Sequence, residues 1–254
     1  PMKGKVQALY EDKHGNIWVA YVEKGAMVIP DTNNAFQVIQ SNPFNGLDFS
    51  DQSVTALLID QEQILWLGTN GGGLFRLRSV DNSFQLESKV NIKENVITSL
   101  FQDSRGHVYI GTYLHGFYRY DRKKGIMENF EYSPYNTNSI NCNHVTGFSE
   151  DKAGNIYIST NGGGINLMDD TTGEFTYLRQ ADSTATSFLL SDWCNCLFID
   201  SQNTLWTGTY AGLSSINLTT QKTSDYTVAN SGISNNAVVD ITEDKDGNIW
   251  VATN

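Results

Sequence analysis

One motif occurs six times in this 254-residue chain, and it limits the possible folds more than any other feature. In each copy an Asp is followed six residues later by Trp or Tyr, and nine residues later by Thr or, in the first copy, Tyr21. A period of this length indicates a repeat protein, in which neighbouring units bury a shared core. The copies begin, at spacings of 43 to 49 residues, at Asp12, Asp60, Asp103, Asp151, Asp200 and Asp244.

Each repeat contains the signals of four short strands. An alternating apolar run, such as 54–59 or 145–150, precedes the Asp and is typical of a strand. The second strand carries the Trp or Tyr, which we expect to wedge between neighbouring units. A glycine-rich reversal such as 161–164 then leads to a third strand. A fourth strand is predicted around Phe84, Phe130, Phe175 and Tyr226.

The Asp and a Gly three residues later predict a tight turn between the first two strands. Asp can accept hydrogen bonds from the amides of the turn, and Gly tolerates a positive φ. Two copies have another residue at the Gly position, Gln63 and Asn203. Asn is the next-best residue for the left-handed conformation, whereas Gln63 predicts a different turn.

Four antiparallel strands in about 45 residues form the unit of a β-propeller blade. The sequence therefore predicts an all-β fold, a β-propeller with five full four-stranded blades and a half blade. The half blade would end after its second strand, so we expect the chain to be a fragment of a larger propeller. The predicted blades cover approximately residues 6–47, 48–92, 93–139, 140–190 and 191–233, with a partial blade at 234–254.

Residues 145–169 and, more loosely, 97–121 carry a longer pattern around the motif. With its Asp, Gly, aromatic, Thr and paired glycines, this pattern resembles the two-component regulator propeller repeat. The resemblance implies the extracytoplasmic, periplasmic sensor region of a hybrid two-component system of Bacteroidetes, which would regulate glycan utilisation. The implied partners are an oligosaccharide or other small ligand and the remaining propeller and signalling domains of the same protein, and a homodimer is possible. Any kinase activity would lie outside this segment.

Three other propeller repeats fit less well. Tryptophan–aspartate blades require recurring Gly-His and Trp-Asp pairs, which this chain lacks. The Asp-box of sialidases has one residue between Asp and Gly, whereas two residues separate Asp151 from Gly154. In kelch blades the glycine pair precedes the aromatic residues, whereas here the aromatic comes first.

The geometry of a four-stranded blade predicts where a ligand could bind. The loop between the second and third strands lies on the same side as the connection into the next inner strand. The connections contain Gln52, Asn95, Asn143, Asp192 and Asn236, which we expect to be structural caps. The position after each cap varies, so the scaffold does not determine it. From the loops between second and third strands and from the positions after the caps, we predict a ligand-binding mouth. It is formed by Asn70, Tyr113, His115, His144, Asn161, Trp193 and Tyr210.

Aromatic rings beside amide groups suit a sugar, because rings stack on its C–H faces and amides bond to its hydroxyls. The alternative is that these residues contact a neighbouring domain or only water. Two other functions also stay open at this point. The same scaffold could carry a glycosidase with paired carboxylates, or a polysaccharide lyase that uses His115 or His144. The blades could instead form a protein-interaction platform.

Other chemistry is not indicated by the sequence. Cys194 and Cys196 align with small core residues of an inner strand, and Cys142 is expected to be free. The four His residues show no metal-binding spacing, and we predict no metal, cofactor or catalytic residue. The net charge of -11 argues against nucleic acid as a partner. The basic cluster is expected to be a strand end and turn and consists of Arg119, Arg122, Lys123 and Lys124.

Overall fold

The computed structural model describes residues 5–12, 15–21, 25–29, 37–39, 53–80, 83–169, 172–180 and 189–254. Every regular element in these ranges is a β-strand. The strands form five four-stranded sheets and one two-stranded sheet, and each sheet keeps its strands in chain order. The predicted all-β fold of five four-stranded blades and two further strands is therefore confirmed.

The first sheet contains β1 (Val6–Glu11), β2 (Ile17–Tyr21), β3 (Gly25–Ile29) and β4 (Gln37–Ile39). The second contains β5 (Ser53–Ile59), β6 (Ile64–Asn70), β7 (Leu74–Val80) and β8 (Ser83–Val90). The third contains β9 (Ile97–Gln102), β10 (Val108–Thr112), β11 (Phe117–Asp121) and β12 (Ile126–Phe130).

The fourth sheet contains β13 (Val145–Glu150), β14 (Ile156–Thr160), β15 (Gly164–Met168) and β16 (Phe175–Leu178). The fifth contains β17 (Cys194–Ile199), β18 (Thr204–Thr209), β19 (Leu213–Asn217) and β20 (Thr223–Tyr226). The two-stranded sheet pairs β21 (Val238–Glu243) with β22 (Ile249–Thr253). Phe84, Phe130, Phe175 and Tyr226 all lie in fourth strands, as predicted.

The chain forms two compact units. Unit 1 consists of Pro1–Gln102, Gly106–Tyr113 and Tyr120–Ile126. Unit 2 consists of Asp103–Arg105, Leu114–Arg119 and Met127–Asn254. The first two sheets thus belong to unit 1, and the fourth, fifth and two-stranded sheets belong to unit 2.

The repeated aromatic residues pack between neighbouring sheets. In unit 1, Trp18 of the first sheet meets Phe84 of the second, edge to face, with ring centroids 5.2 Å apart. In unit 2, Tyr157 of the fourth sheet joins a core cluster with Leu205 of the fifth. These contacts confirm the predicted wedge. Trp250 departs from it, because no described sheet covers β22 and the side chain is 63% exposed.

The cysteines lie where the repeat alignment placed them. Cys194 and Cys196 are buried on the inner strand β17, and Cys142 is partly exposed in the connection before β13. All three thiols are free. Burial raises the pKa of Cys194 and of Cys196 to about 12.

The turn after the first strand uses both carboxylate oxygens of the Asp. In the second sheet Asp60 Oδ1 accepts the Ile64 amide at 3.0 Å, and Asp60 Oδ2 accepts the indole N–H of Trp66 at 2.9 Å. The same indole bond recurs at 2.8–3.0 Å in three other copies. In the sixth copy Trp250 and Asn248 donate to Asp244 and lower its pKa to about 2. The recurring Asp therefore fixes the aromatic side chain as well as the turn.

The expectation of a different turn at Gln63 is wrong. Gln63 has a φ of 63°, in the left-handed region that Gly106 and Gly154 also occupy. Its amide donates to Asp60 O at 2.9 Å, as the Gly154 amide donates to Asp151 O at 3.0 Å. The bonds of Asp60 over-determine the turn, so they outweigh the backbone preference of Gln.

The basic cluster lies at the end of β11 and in the turn after it, as predicted. Three of its residues, Arg119, Arg122 and Lys124, are paired with acids on the same unit. Arg122 Nη1 lies 3.0 Å from Asp60 Oδ2, and Lys124 Nζ lies 3.1 Å from Asp121 Oδ2. Arg119 Nη2 lies 2.6 Å from Glu128 Oε2.

Candidate functional site

Backbone hydrogen bonds bring the second-to-third loops of unit 2 beside the connections into the next inner strands. The Gly116 amide donates to Asn143 O at 3.0 Å, and the Gly162 amide donates to Asp192 O at 3.0 Å. Within the fourth sheet, the Asn161 amide donates to His144 O at 2.9 Å and brings His144 to the same edge. The Gly164 amide donates to Asp192 O at 2.9 Å. These loops and connections therefore share one edge of the sheets, as the blade geometry predicts. We call this edge of unit 2 the loop rim; it comprises residues 114–116, 131–132, 143–144, 161–163, 179–180, 192–193, 210–212, 227–228 and 236–237.

The residues expected to be caps hold the rim together. Asn143 Oδ1 accepts the Tyr132 amide at 2.7 Å, and Asn236 Oδ1 accepts the Val228 amide at 2.9 Å. Asp192 Oδ1 accepts the Gln180 amide at 2.6 Å. In each case a side chain before an inner strand binds the backbone just after the preceding fourth strand. Gln52 lies outside the described residues.

Trp193 and Asn161 form the best-defined pair of predicted site residues. They face each other in an isolated antiparallel β-bridge, and the Trp193 side chain is 57% exposed. Residues opposite each other in such a bridge project their side chains on the same side, roughly 5 Å apart at Cβ. The bridge therefore places an exposed indole beside an amide group.

Three more predicted residues belong to the loop rim. Tyr210 begins the loop after β18 and is 57% exposed. His144 is partly buried, and desolvation lowers its pKa, so the imidazole is neutral at neutral pH. His115 Nδ1 lies 3.3 Å from Glu131 Oε1. Unit 2 thus brings five of the seven predicted residues to one edge.

The other two predicted residues lie in unit 1, at the corresponding position of its sheets. Asn70 pairs with Val96 in an isolated β-bridge, and the Tyr113 amide donates to Val96 O at 3.2 Å. The Tyr113 side chain is exposed. That all seven residues line a single mouth stays a prediction.

The sequence-based prediction missed three exposed apolar residues of the loop rim, Leu114, Tyr132 and Val228. Leu114 could have been found, since it lies between the two predicted residues Tyr113 and His115. Tyr132 and Val228 follow fourth strands whose ends differ among the copies. Only the bonds to Asn143 and Asn236 show that they reach the rim.

We call the edge of the sheets opposite the loop rim the turn edge. It carries the repeated Asp turns together with charged residues such as Arg105, Lys152 and Lys245. Here Glu150 accepts both the amide and the hydroxyl of Ser104 at 2.7 Å, and Glu243 accepts the same two groups of Ser201. Charged and polar side chains at this edge therefore link neighbouring sheets.

Unit 2 also contains a groove of about 570 Å³ between the fifth sheet and the two-stranded sheet. It is lined by Trp206, Leu213, Tyr226, Ile249 and Val251, among others. In the described part of the chain, no three His, Cys, Asp or Glu side chains lie together as a metal ion would require. The described residues also contain no helix that could cross a membrane.

The fold is similar to that of several solved structures. The extracellular domains of two hybrid two-component systems of B. thetaiotaomicron match 98% of this chain, with TM-scores of 0.53 and 0.60 and identities of 22% and 18%. The chain spans 32% and 40% of the lengths of those domains. Virginiamycin B lyase from Staphylococcus aureus matches 99% of this chain and 78% of its own, with a TM-score of 0.69 and 15% identity.

At the level of sequence, no curated protein matches this chain. The model of the two-component regulator propeller family matches five segments, at residues 2–22, 48–71, 91–114, 139–162 and 232–254. Each segment contains an inner strand, the Asp turn and the aromatic second strand. These five segments therefore carry the two-component regulator propeller repeat.

Proposed function

We propose that this chain is the ligand-sensing part of a periplasmic receptor and that it binds an oligosaccharide at the loop rim of unit 2. The observation that carries the proposal is the exposed Trp193 indole beside the Asn161 amide. An aromatic ring can cover the C–H face of a sugar ring, while an amide donates to and accepts from its hydroxyls. Tyr210 offers a second exposed ring on the next sheet.

The signalling role rests on the family. Two-component regulator propeller repeats, and the similarity to extracellular domains of hybrid two-component systems, favour a sensor that regulates glycan utilisation from outside the cytoplasm. Signalling requires a ligand whose affinity differs between two arrangements of the receptor. The rim joins consecutive sheets through backbone bonds, so a ligand spanning Asn161 and Tyr210 would bias their packing.

Calorimetry with a panel of oligosaccharides tests this proposal. Truncation of a stacking ring removes a large contact area, so Trp193→Ala and Tyr210→Ala should each weaken binding by about tenfold or more. Tyr135→Ala is the matched control. Tyr135 is 96% exposed, but it lies away from the loop rim, in a part of the connection where Asn138 donates to Gly173 O at the turn edge. Unchanged binding in both rim variants, or an equal loss in Tyr135→Ala, would contradict the proposed site.

A lyase is the second candidate, and the similarity to virginiamycin B lyase favours it. That structure is of a His-to-Ala variant described as catalytically inactive, and His115 and His144 are the rim imidazoles of this chain. Incubation with the same saccharides, followed by mass spectrometry, separates the two functions. Cleaved products that disappear in His144→Gln or His115→Gln would favour the lyase, whereas binding without turnover favours the sensor.

A further inference from the structure

The loop rim of unit 2 has few charged residues. Among its described residues the charged side chains are Glu131, Arg179 and Asp192. A protein with a net charge of -11 thus presents few charged side chains at the rim, where Tyr132, Trp193 and Tyr210 are exposed.

Arg179 is the one Lys or Arg among the described rim residues, and it is held by an acid. Its Nε and Nη2 atoms both donate to Asp192 Oδ2, at 3.2 and 3.0 Å. Asp192 is in turn fixed by the Gln180 amide and, through its carbonyl, by Gly162 and Gly164. The guanidinium therefore already has a carboxylate partner within the protein.

The imidazoles of the rim do not replace this cation. Burial keeps His144 neutral at neutral pH. His115 Nδ1 lies 3.3 Å from Glu131 Oε1, so this imidazole faces a carboxylate of the protein. Proteins recognise carboxylate and sulfate groups with Arg or Lys, which form charge-assisted hydrogen bonds. The rim offers no such group to a ligand unless the Arg179–Asp192 pair opens.

We propose that the loop rim of unit 2 is selective for uncharged saccharides and rejects saccharides that carry carboxylate or sulfate groups. This inference rests on the proposed function, because it concerns the ligand of the same site. An acidic sugar would lose hydration at its anionic group without gaining a cation, and it would approach a protein of the same charge. A neutral sugar needs only the rings, amides and backbone groups that the rim presents.

The first test compares neutral oligosaccharides with uronic-acid oligosaccharides of the same length by calorimetry. We expect the neutral series to bind at least about tenfold more tightly. Equal or tighter binding of the acidic series would overturn the inference while leaving an oligosaccharide site in place. Failure of every saccharide to bind would instead refute the proposed function, and the inference with it.

A single substitution should weaken the preference. Asp192→Asn keeps an oxygen for the Gln180 amide but replaces the carboxylate oxygen that accepts from Arg179, so it removes this negative charge from beside the guanidinium. We expect the ratio of acidic-series to neutral-series affinity to rise by about tenfold, with the rise reduced by salt. Asp169→Asn is the matched control, since it changes the net charge equally at the turn edge, where Asp169 accepts the Thr172 amide. An equal gain in both variants would show a general charge effect and would overturn the assignment to the rim.

Discussion

At the residue scale, the Asp of each repeat connects a turn to the core. Asp60 accepts amides of its turn with one oxygen and the Trp66 indole with the other. The sequence predicts the turn from the Asp and Gly pair, but not the indole bond, because a spacing of six residues does not reveal side-chain direction across a hairpin. The same bonds explain why Gln63 was mispredicted: the turn is held by Asp60 rather than by the residue at the Gly position.

Gln63→Gly should stabilise the protein. A left-handed conformation costs a non-Gly residue about 1 kcal/mol, and the substitution removes this cost without removing a backbone bond. We expect a higher urea midpoint, corresponding to a gain in unfolding free energy of about 1 kcal/mol. Asn203→Gly should gain less, since Asn tolerates a φ of 63° better. A lower urea midpoint for Gln63→Gly would mean that the Gln63 side chain stabilises the protein by more than its left-handed backbone conformation costs.

At the scale of the element, the inner strands share an irregularity. The register between first and second strands shifts between residues 54 and 56, 145 and 147, and 194 and 196. The residue at each shift turns its side chain towards the next inner strand: Thr55 Oγ1 donates to Ile97 O, Thr146 Oγ1 to Cys194 O and Asn195 Nδ2 to Val238 O. Period-2 alternation predicts the strands themselves, but a bulge changes the direction of one side chain and leaves little trace in the pattern.

Thr146→Val tests the contribution of this bond to the junction between the fourth and fifth sheets. Val keeps the shape and the β-branch but cannot donate, so Cys194 O loses a partner that lies 2.9 Å away. We expect a loss of about 1 kcal/mol in unfolding free energy, measured by urea denaturation. Thr176→Val, on the outer strand β16 at an exposed position, should have almost no effect. Equal effects of the two substitutions would show that the hydrogen bond from Thr146 to Cys194 O does not stabilise the junction, and that any change comes from the β-propensity of Val.

At the scale of the whole molecule, the repeat predicts more of the fold than of the site. Counting copies of the Asp motif gives the five four-stranded sheets and the two further strands, because the same turn bond to the Asp carbonyl recurs along the chain, at Asp12, Asp60, Asp151, Asp200 and Asp244. The rim is less predictable, since it also depends on connections that differ between copies in length and sequence. Trp193 and Asn161 were found through an aligned position, whereas Tyr132 and Val228 lie where no aligned position exists.

Removal of the two-stranded sheet should expose one specific cysteine. Within unit 2 each sheet packs on its neighbours, so the loss of one sheet should uncover only the face that it covered. Cys196 packs with Val238 and Ile241 of β21, whereas Cys194 packs with Tyr157 and Leu205 of the fourth and fifth sheets. In the intact chain we expect iodoacetamide to modify Cys142 alone, because burial raises the pKa of the other two thiols to about 12.

In a chain ending at residue 233, mass spectrometry after a timed pulse should find Cys196 modified several times faster than in the intact chain. Cys194 should stay protected, and Cys142 should react equally in both chains and so report reagent exposure. Modification of Cys194 and Cys196 at the same rate would mean that the deletion unfolds the fifth sheet as a whole. In that case the sheets of unit 2 would depend on one another for folding, and protection could not be assigned to single junctions.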